Sequence, residues 1–390
     1  MDRRSFLKAG LCAVCAGTLA RPPGPSRAAE AATLRLKKGA VTPHPSPYFA
    51  PIGSGAIRCL LCPRHCEVDP GERGYCEVRE NRNGTYYSLV YGNPCAVHVD
   101  PIEKKPFFHV LPTTRSFSIA TAGCNFDCKF CQNWEISQAR PEQTRNFLLT
   151  PDQVVQWALR TGCASIASTY VEPTIFMEYM IDIARNTRKA GLLKVMHSNG
   201  FVEKPPLEDL VPFLDAACID LKGIRDAYYR EMTEGWLEPV LDTLKHLKEA
   251  GVHTEIVNLI IPGKNDSQAD IVDLCRWVRN ELGSHIPIHF TRFYPRYKLQ
   301  GLPPTPVATL ERAHAIARRE GLHFAYIGNV PGHPAESTYC PRCQTLVIRR
   351  VGYRTQLVHF RDGRCSKCQT PIPGIWKRPG TQETGDAAGG

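Results

Sequence analysis

From Ser116 onward, short β-branched and apolar runs alternate with stretches of helical period, and this alternation constrains the fold more than any other property of the chain. Short apolar runs suit strands buried on both faces, and a helix between two such runs lets the next strand start parallel to the last. Strands are expected at 116–121, 164–170, 193–199, 216–221, 253–261, 287–293 and 322–328. Thr150-Pro151-Asp152 places a capping hydroxyl, a first-turn proline and an acid ahead of Val154-Val155-x-Trp157-Ala158-Leu159, and Glu172-Pro173-Thr174 opens the next helix similarly. Six or seven such βα units fit an α/β partial barrel, a partial (βα)6 core, whose functional residues gather at the carboxyl ends of the strands.

At 390 residues and 43% hydrophobic, the chain can bury one large core with small appendages. Residues 1–32, with Arg3-Arg4 ahead of apolar Ala9 to Ala20, are similar to a twin-arginine export signal with cleavage sites at Ala28 and Ala29 to Ala32. The apolar part is too short for a transmembrane segment, and none is expected. Residues 33–56 read as a linker, 57–100 as a small cysteine-rich module, 110–331 as the barrel, 332–378 as a second cysteine-bearing module and 379–390 as a disordered tail. Much of the net charge of +10 comes from the N-terminus and from Arg349-Arg350 to Lys377-Arg378. A nucleic acid is compatible with that charge but not favoured, since basic surfaces are commonly only solvated.

The 17 cysteines exceed what a reduced protein without metals uses, and their spacing does not resemble a small secreted disulfide scaffold. Cys124-x3-Cys128-x2-Cys131 puts three thiolates in one loop, enough to hold three irons of a [4Fe–4S] cube and leave the fourth without a protein ligand. A zinc knuckle is the alternative, but zinc prefers four closed ligands and no fourth cysteine follows nearby. Cys340-x2-Cys343 and Cys365-x2-Cys368, with β-like sequence between them, approach a zinc-ribbon arrangement suited to a structural zinc, a second iron–sulfur cluster being the alternative. Cys59-x2-Cys62-x3-Cys66-x9-Cys76 is less regular and fits zinc, an auxiliary [4Fe–4S] cluster or, in an oxidising compartment, disulfides. Cys95, Cys163, Cys218 and Cys275 read as buried small apolar residues, with Cys95 an alternative member of the upstream group.

Phe130 before the last loop cysteine, and the strand-like run Ser116 to Thr121 before the first, closely resemble the radical S-adenosylmethionine (SAM) family. The resemblance implies an open iron that chelates SAM and passes it one electron, releasing methionine and a 5′-deoxyadenosyl radical. It also implies a set of SAM contacts. Glu172, in Ser168-Thr169-Tyr170-Val171-Glu172-Pro173, falls where the family's glycine-glycine-glutamate segment meets the SAM amino group, with Tyr170 and Val171 in place of the glycines. Asn199 in His197-Ser198-Asn199-Gly200, Asp220 and Lys222 in Ile219-Asp220-Leu221-Lys222, and His289 resemble matching segments of glycyl-radical-enzyme activases. Leu259 to Asp266 resembles the strand and turn near the adenine. The plainer readings are a helix-start carboxylate for Glu172, a turn residue for Asn199, a structural pair for Asp220 and Lys222, and a core histidine for His289.

From about Arg58 to Trp376 the chain resembles the radical SAM member of the AmmeMemoRadiSam group, a relative of pyruvate formate-lyase activating enzymes. The marks are Cys59-Leu60-Leu61-Cys62-Pro63-Arg64-His65-Cys66 with Gly71-x2-Gly74-Tyr75-Cys76, Asp100 to Pro106, Cys131-Gln132-Asn133-Trp134-Glu135-Ile136-Ser137, and the terminal cysteine pairs. By itself, Asp100 to Pro106 is a mixed-charge turn. The resemblance implies partner proteins of two other families, an electron donor for cluster reduction and an unidentified substrate, with no particular catalytic side chain singled out. The expectation is a radical SAM enzyme that abstracts hydrogen. The alternatives are a glycyl-radical-enzyme activase and, in another class, an exported iron–sulfur electron-transfer protein. The leader points to export and the need for SAM to the cytoplasm.

Overall fold

The structure is a computed structural model that describes residues 34–378; the leader-like stretch 1–32 and the tail 379–390 lie outside the described residues. Eight strands form the main sheet: β1 (Ala96–Pro101), β2 (Arg115–Ala120), β3 (Ser165–Ser168), β4 (Leu193–Ser198), β5 (Ala216–Asp220), β6 (His253–Ile260), β7 (Ile288–Arg292) and β8 (Ala325–Gly328). They lie side by side in chain order, β2 to β8 all parallel, so each crossover returns to the neighbouring position. The fold is the expected α/β partial barrel, with seven parallel strands rather than six. β1 is an addition: it runs antiparallel to β2, pairing Asp100 with Ser116, and comes from the stretch read as the cysteine-rich module. Its polar His98 and Asp100 and its half-exposed face broke the apolar run that marks the other strands.

Crossover helices start where local chemistry satisfies the free N–H groups of a first turn. Thr150 accepts from the Gln153 N–H while the Gln153 side chain accepts from the Thr150 N–H, a reciprocal cap for the helix Pro151–Arg160. Glu172 caps a short 3-10 turn, Pro173–Phe176, that leads into the helix Met177–Lys189.

Inside the barrel, small residues on or next to the strands, Ala164, Ala167, Ala216 and Cys218, leave room for Phe107, Val110 and Leu111 from the segment after β1. Burying each large side chain there stabilises the fold by about 1.5–3 kcal/mol. The segment has no strand partner at Phe108 and His109, so both N–H groups donate to the fully buried Glu255 carboxylate of β6, at 3.0 and 2.8 Å.

Residues 34–56 are not a structureless linker. Leu36–Lys38 pairs with Arg145–Phe147, His44–Pro45 with Thr85–Ser88, and Phe49–Gly53 with Ala56–Cys59. The first two gain their backbone partners from distant segments, which no local period reveals. At the other end, β9 (Leu346–Val351) pairs with Thr338–Tyr339 and with β10 (Arg354–Leu357). This region is stitched to the barrel. Buried Arg350 donates to the Phe108 carbonyl (2.7 Å), Leu111 N–H to Ile375 O, Ile375 N–H to His109 O, and the His109 ring hydrogen-bonds Pro373 O and the Tyr326 hydroxyl. No break in packing therefore accompanies the change of sequence character at Gly332. No helix among the described residues is long and apolar enough to cross a membrane.

Candidate functional site

The loop leaving β2 carries Cys124, Cys128 and Cys131 and is held from several sides. Gly123 N–H donates to Ile136 O, Asp127 N–H to Thr233 O and Lys129 N–H to Met232 O. The Asn125 amide donates to Phe201 O (2.8 Å), Arg64 to the Asn125 carbonyl (2.6 Å), and Lys298 pairs with Asp127. Gly123 sits at φ +88°, and a Cβ there would stand 2.5 Å from the Cys76 carbonyl oxygen, so only glycine allows the loop to approach that closely. The three thiols line one wall of a cavity of about 650 Å³ at the carboxyl ends of the strands. Burial pushes the Cys128 thiol up to about 12 against the pull of the Lys222 ammonium. A cationic metal centre at the loop would reverse that preference and hold the thiolates.

The other walls hold every expected SAM-site residue: Glu172 after β3, Asn199 after β4, Asp220 and Lys222 at the end of β5, and His289 on β7. Glu172 is buried, and its Oε1 accepts from Thr174 N–H, Thr174 Oγ1 and Ser198 Oγ at 2.7–3.0 Å, while Oε2 accepts from Asn199 N–H at 2.7 Å. Burial raises its pKa and these donors pull it back. The helix-start role of this carboxylate is thus visible, and Oε2 keeps acceptor capacity beyond its one donor. Asn199 behaves as a turn residue through Oδ1, which accepts from Phe201 N–H, and fastens the cysteine loop through Nδ2, which donates to Asn125 Oδ1 (2.8 Å).

Lys222 Nζ donates to Asp220 Oδ2, and the His197 ring hydrogen-bonds Asp220 Oδ1, both at 2.8 Å. Burial opposes both charges, but the pair outweighs it: Asp220 is held well below the carboxylate range and Lys222 above the lysine range. The ammonium also lies 5.8 Å from the centre of the Phe130 ring. His289 is a core histidine that still faces the cavity. Its Nε2 is 2.7 Å from Glu255, and its ring stacks on Tyr326 with centroids 5.1 Å apart.

Glu255 escaped the sequence reading, and Tyr170 and Asp100 to Pro106 take on roles that it did not give them. Glu255, a lone acid on an apolar strand, joins the cavity's His289 to the interior segment at Phe108 and His109; burial raises its pKa, but His253 and His289 hold it far below the usual range. Tyr170 adopts φ +68°, a conformation costly for a tyrosine and easy for a glycine. Asp100 to Pro106, read as a turn, supplies the anchor. Asp100 accepts from the Tyr170 hydroxyl and pairs with buried Lys105 (2.6 Å), whose ammonium lies 4.0 Å from the Tyr170 ring centre. The Tyr170 carbonyl in turn accepts from the Asn133 amide (2.7 Å), tying this anchor to the cysteine loop.

The C-terminal cysteines are arranged otherwise. Cys340, Cys343, Cys365 and Cys368 place all four Sγ atoms within 4.8 Å of one another, with Cys340–Cys368 at 3.4 Å and Cys343–Cys365 at 3.7 Å. A tetrahedral zinc with Zn–S near 2.3 Å sets its thiolates about 3.8 Å apart, so the four fit one such ion. Each half is a Cys-x2-Cys-Gln-Thr turn with its glutamine at positive φ, Gln344 at +57° and Gln369 at +59°. Among the described residues, no other group of three or more ligating side chains is gathered so tightly. Every described cysteine is a free thiol; Cys163, Cys218 and Cys275 are buried as expected, whereas Cys95 is only half-buried.

Residues 118–278 match the Radical SAM superfamily. An uncharacterized protein of Methanocaldococcus jannaschii is 45% identical over 327 residues, covering 83% of this chain and 97% of that protein. The pyruvate formate-lyase 1-activating enzyme of Escherichia coli K12 is 23% identical over 217 residues, covering 51% and 87%. The crystal structure of a radical SAM methyltransferase from Sphaerobacter thermophilus aligns over 74% of this chain and 76% of its own at 16% identity and a TM-score of 0.43.

Proposed function

We propose, from the match of residues 118–278 to the Radical SAM superfamily, that the chain cleaves SAM reductively at a [4Fe–4S] cluster held by Cys124, Cys128 and Cys131 and abstracts hydrogen from a substrate bound in the same cavity. The observation that carries the reading is the meeting, around one cavity, of three thiols with no fourth cysteine and groups matched to both ends of an amino acid. Such a cluster, when bound, supplies an electron and an open iron. The protein supplies the rest. Glu172 Oε2 accepts from the SAM ammonium, and Asn199 and Lys222 donate to its carboxylate and ribose oxygens. Asp220 keeps Lys222 protonated and aimed, and the apolar wall of Phe108, Val257 and Leu259 keeps water from the radical. His289, bonded to Glu255 and stacked on Tyr326, lines the same cavity as a further contact for SAM.

This gathering supports SAM chemistry over an electron carrier, which needs neither the cavity nor an ammonium and carboxylate site. Within the superfamily the reading assigns the chain to the AmmeMemoRadiSam group, supported by the run from Cys131 to Ser137 and its Asn133 link to Tyr170. A glycyl-radical activase is the second reading, favoured by the similarity to the Escherichia coli activating enzyme. The C-terminal four thiols hold one structural zinc.

The test is anaerobic reconstitution followed by reduction with SAM. The expected results are 5′-deoxyadenosine from the wild type, a cluster spectrum perturbed by SAM, and loss of both in Cys128→Ala. A wild-type loop that takes up zinc alone would sink the reading.

A further inference from the structure

The upstream quartet is not used by the chemistry above, yet it is built against it. We propose that Cys59, Cys62, Cys66 and Cys76 hold a second iron–sulfur cluster, packed directly behind the three-cysteine loop. Cys59 is bonded backbone to backbone with Cys66, whose sulfur in turn accepts from the N–H of Tyr75, the neighbour of Cys76. Cys59 and Cys62 are buried and Cys66 and Cys76 half-buried, on short turns fixed by the Cys59 N–H to Cys66 O bond (2.9 Å) and the His65 N–H to Cys62 O bond (3.1 Å).

Spacing separates the candidates. The C-terminal four show what a set ready for a single ion looks like in this molecule, with every Sγ within 4.8 Å. The upstream four are not drawn together in that way, and neither are the three loop cysteines. Thiolates on different irons of one cube stand farther apart than thiolates on one ion. None of the four is joined in a disulfide.

A second, independent observation points into the site. Tyr86 is completely buried, and its hydroxyl has only the Cys59 thiol as a weak, poorly aligned partner, with no well-formed hydrogen bond. A buried hydroxyl without a good acceptor is costly, and a cluster sulfur would be its acceptor. Gly74 keeps the space beside it clear: a Cβ there would stand 2.8 Å from the Tyr86 hydroxyl and 3.7 Å from Cys66 Sγ. The Tyr75 N–H already donates to Cys66 Sγ at 3.4 Å. Arg79, with no exposed surface and held by Glu178 at 2.8 and 2.5 Å, provides a fixed positive charge beside Cys59 and Cys76 to offset an anionic cluster.

The proximity to the catalytic loop is direct. The Cys76 carbonyl abuts Gly123, the residue before Cys124, and Arg64, two residues after Cys62, bonds the Asn125 carbonyl. A redox centre held here lies within electron-transfer reach of the loop.

The experiment uses the full chain reconstituted anaerobically with iron and sulfide. The wild type should carry about eight irons, and the Cys124→Ala, Cys128→Ala, Cys131→Ala triple variant about four, still giving a cluster absorption and a paramagnetic signal after dithionite reduction. Cys59→Ser with Cys62→Ser should lose about four irons from the wild-type total. Signals broadened by mutual coupling in the reduced wild type should sharpen in the triple variant. Tyr86→Phe should keep all the iron and shift the midpoint potential of the signal that survives in the triple variant. A triple variant that melts like the wild type but binds no iron, or gains a second zinc, would overturn the proposal. Because that variant lacks the first cluster, its iron content is independent of whether the wild type cleaves SAM.

Discussion

The loop of Cys124, Cys128 and Cys131 and the cluster of Cys340, Cys343, Cys365 and Cys368 use the same ligand atom for opposite ends. In the C-terminal cluster four sulfurs close on one point, and the side chains that touch them, Thr345 at 3.3 Å and Thr370 at 3.1 Å, are partners for sulfur alone. In the loop three sulfurs face a cavity, and the groups that share it are a carboxylate, an ammonium and an amide suited to a small zwitterion. The difference teaches that the missing ligand matters less than what stands where it would be. A closed set can only hold a metal, whereas an open one beside complementary charges can present a metal to a substrate.

The sharpest way to break this contrast is Cys343→Ser. It should remove about one zinc per chain and, since metal binding supplies about 10–16 kcal/mol in small zinc modules, loosen the segment after Gly332. The loop should keep its iron, because Phe201, Met232 and Thr233 fasten it, none of them from that segment. Limited proteolysis with metal analysis reads both. Joint loss of zinc and iron would mean that the two sites are one cooperative structure.

Glu255 stands between the two regions, and Glu255→Ala should cost about 3–5 kcal/mol in urea unfolding, because it strands His289 and the N–H groups of Phe108 and His109. A change under about 1 kcal/mol would show that the interior segment is held by apolar packing alone.

Within the open site, Glu172→Gln should weaken SAM binding by roughly tenfold to a hundredfold, the equivalent of about 1.5–3 kcal/mol for a charge-assisted hydrogen bond, with iron content unchanged. Unaltered affinity by calorimetry would leave Glu172 as a helix-start residue only.

The smallest effect concerns acid. Burial lowers the His109 pKa to about 3 from its ordinary value of 6.5, with Glu255 opposing. The unfolded chain therefore binds the proton first as pH falls, and this contribution to stability is lost between about 6.5 and 3. In chelator-treated protein, His109→Phe should flatten the slope of stability against pH over that window. An unchanged slope would shift the acid sensitivity to other groups.

The seven parallel strands were legible because each is a short apolar run bounded by polar turns, and the helix caps because their chemistry is local. Glu172, Asn199, Asp220, Lys222 and His289 were singled out by the resemblance to radical SAM enzymes, and the structure brings all five to one cavity, the first four at strand ends and His289 within β7. β1 and the strands within 34–56 were not legible, since half-exposed or very short strands are defined by a partner far away in sequence. Asp100 to Pro106 was legible only as a mixed-charge turn, and its enclosure beside Tyr170 depends on a residue about 70 positions away.

By itself, then, the sequence determined the ligand types, their spacing along the chain and the alternation that lines up parallel strands, because these depend on residues within a turn or two of one another. Only the tertiary structure decided which cysteines converge to within one ion's reach and which stay apart. It alone brought Glu255 under His289 and let Tyr170 occupy a glycine's conformation, because those outcomes depend on side chains tens to hundreds of residues apart being desolvated together.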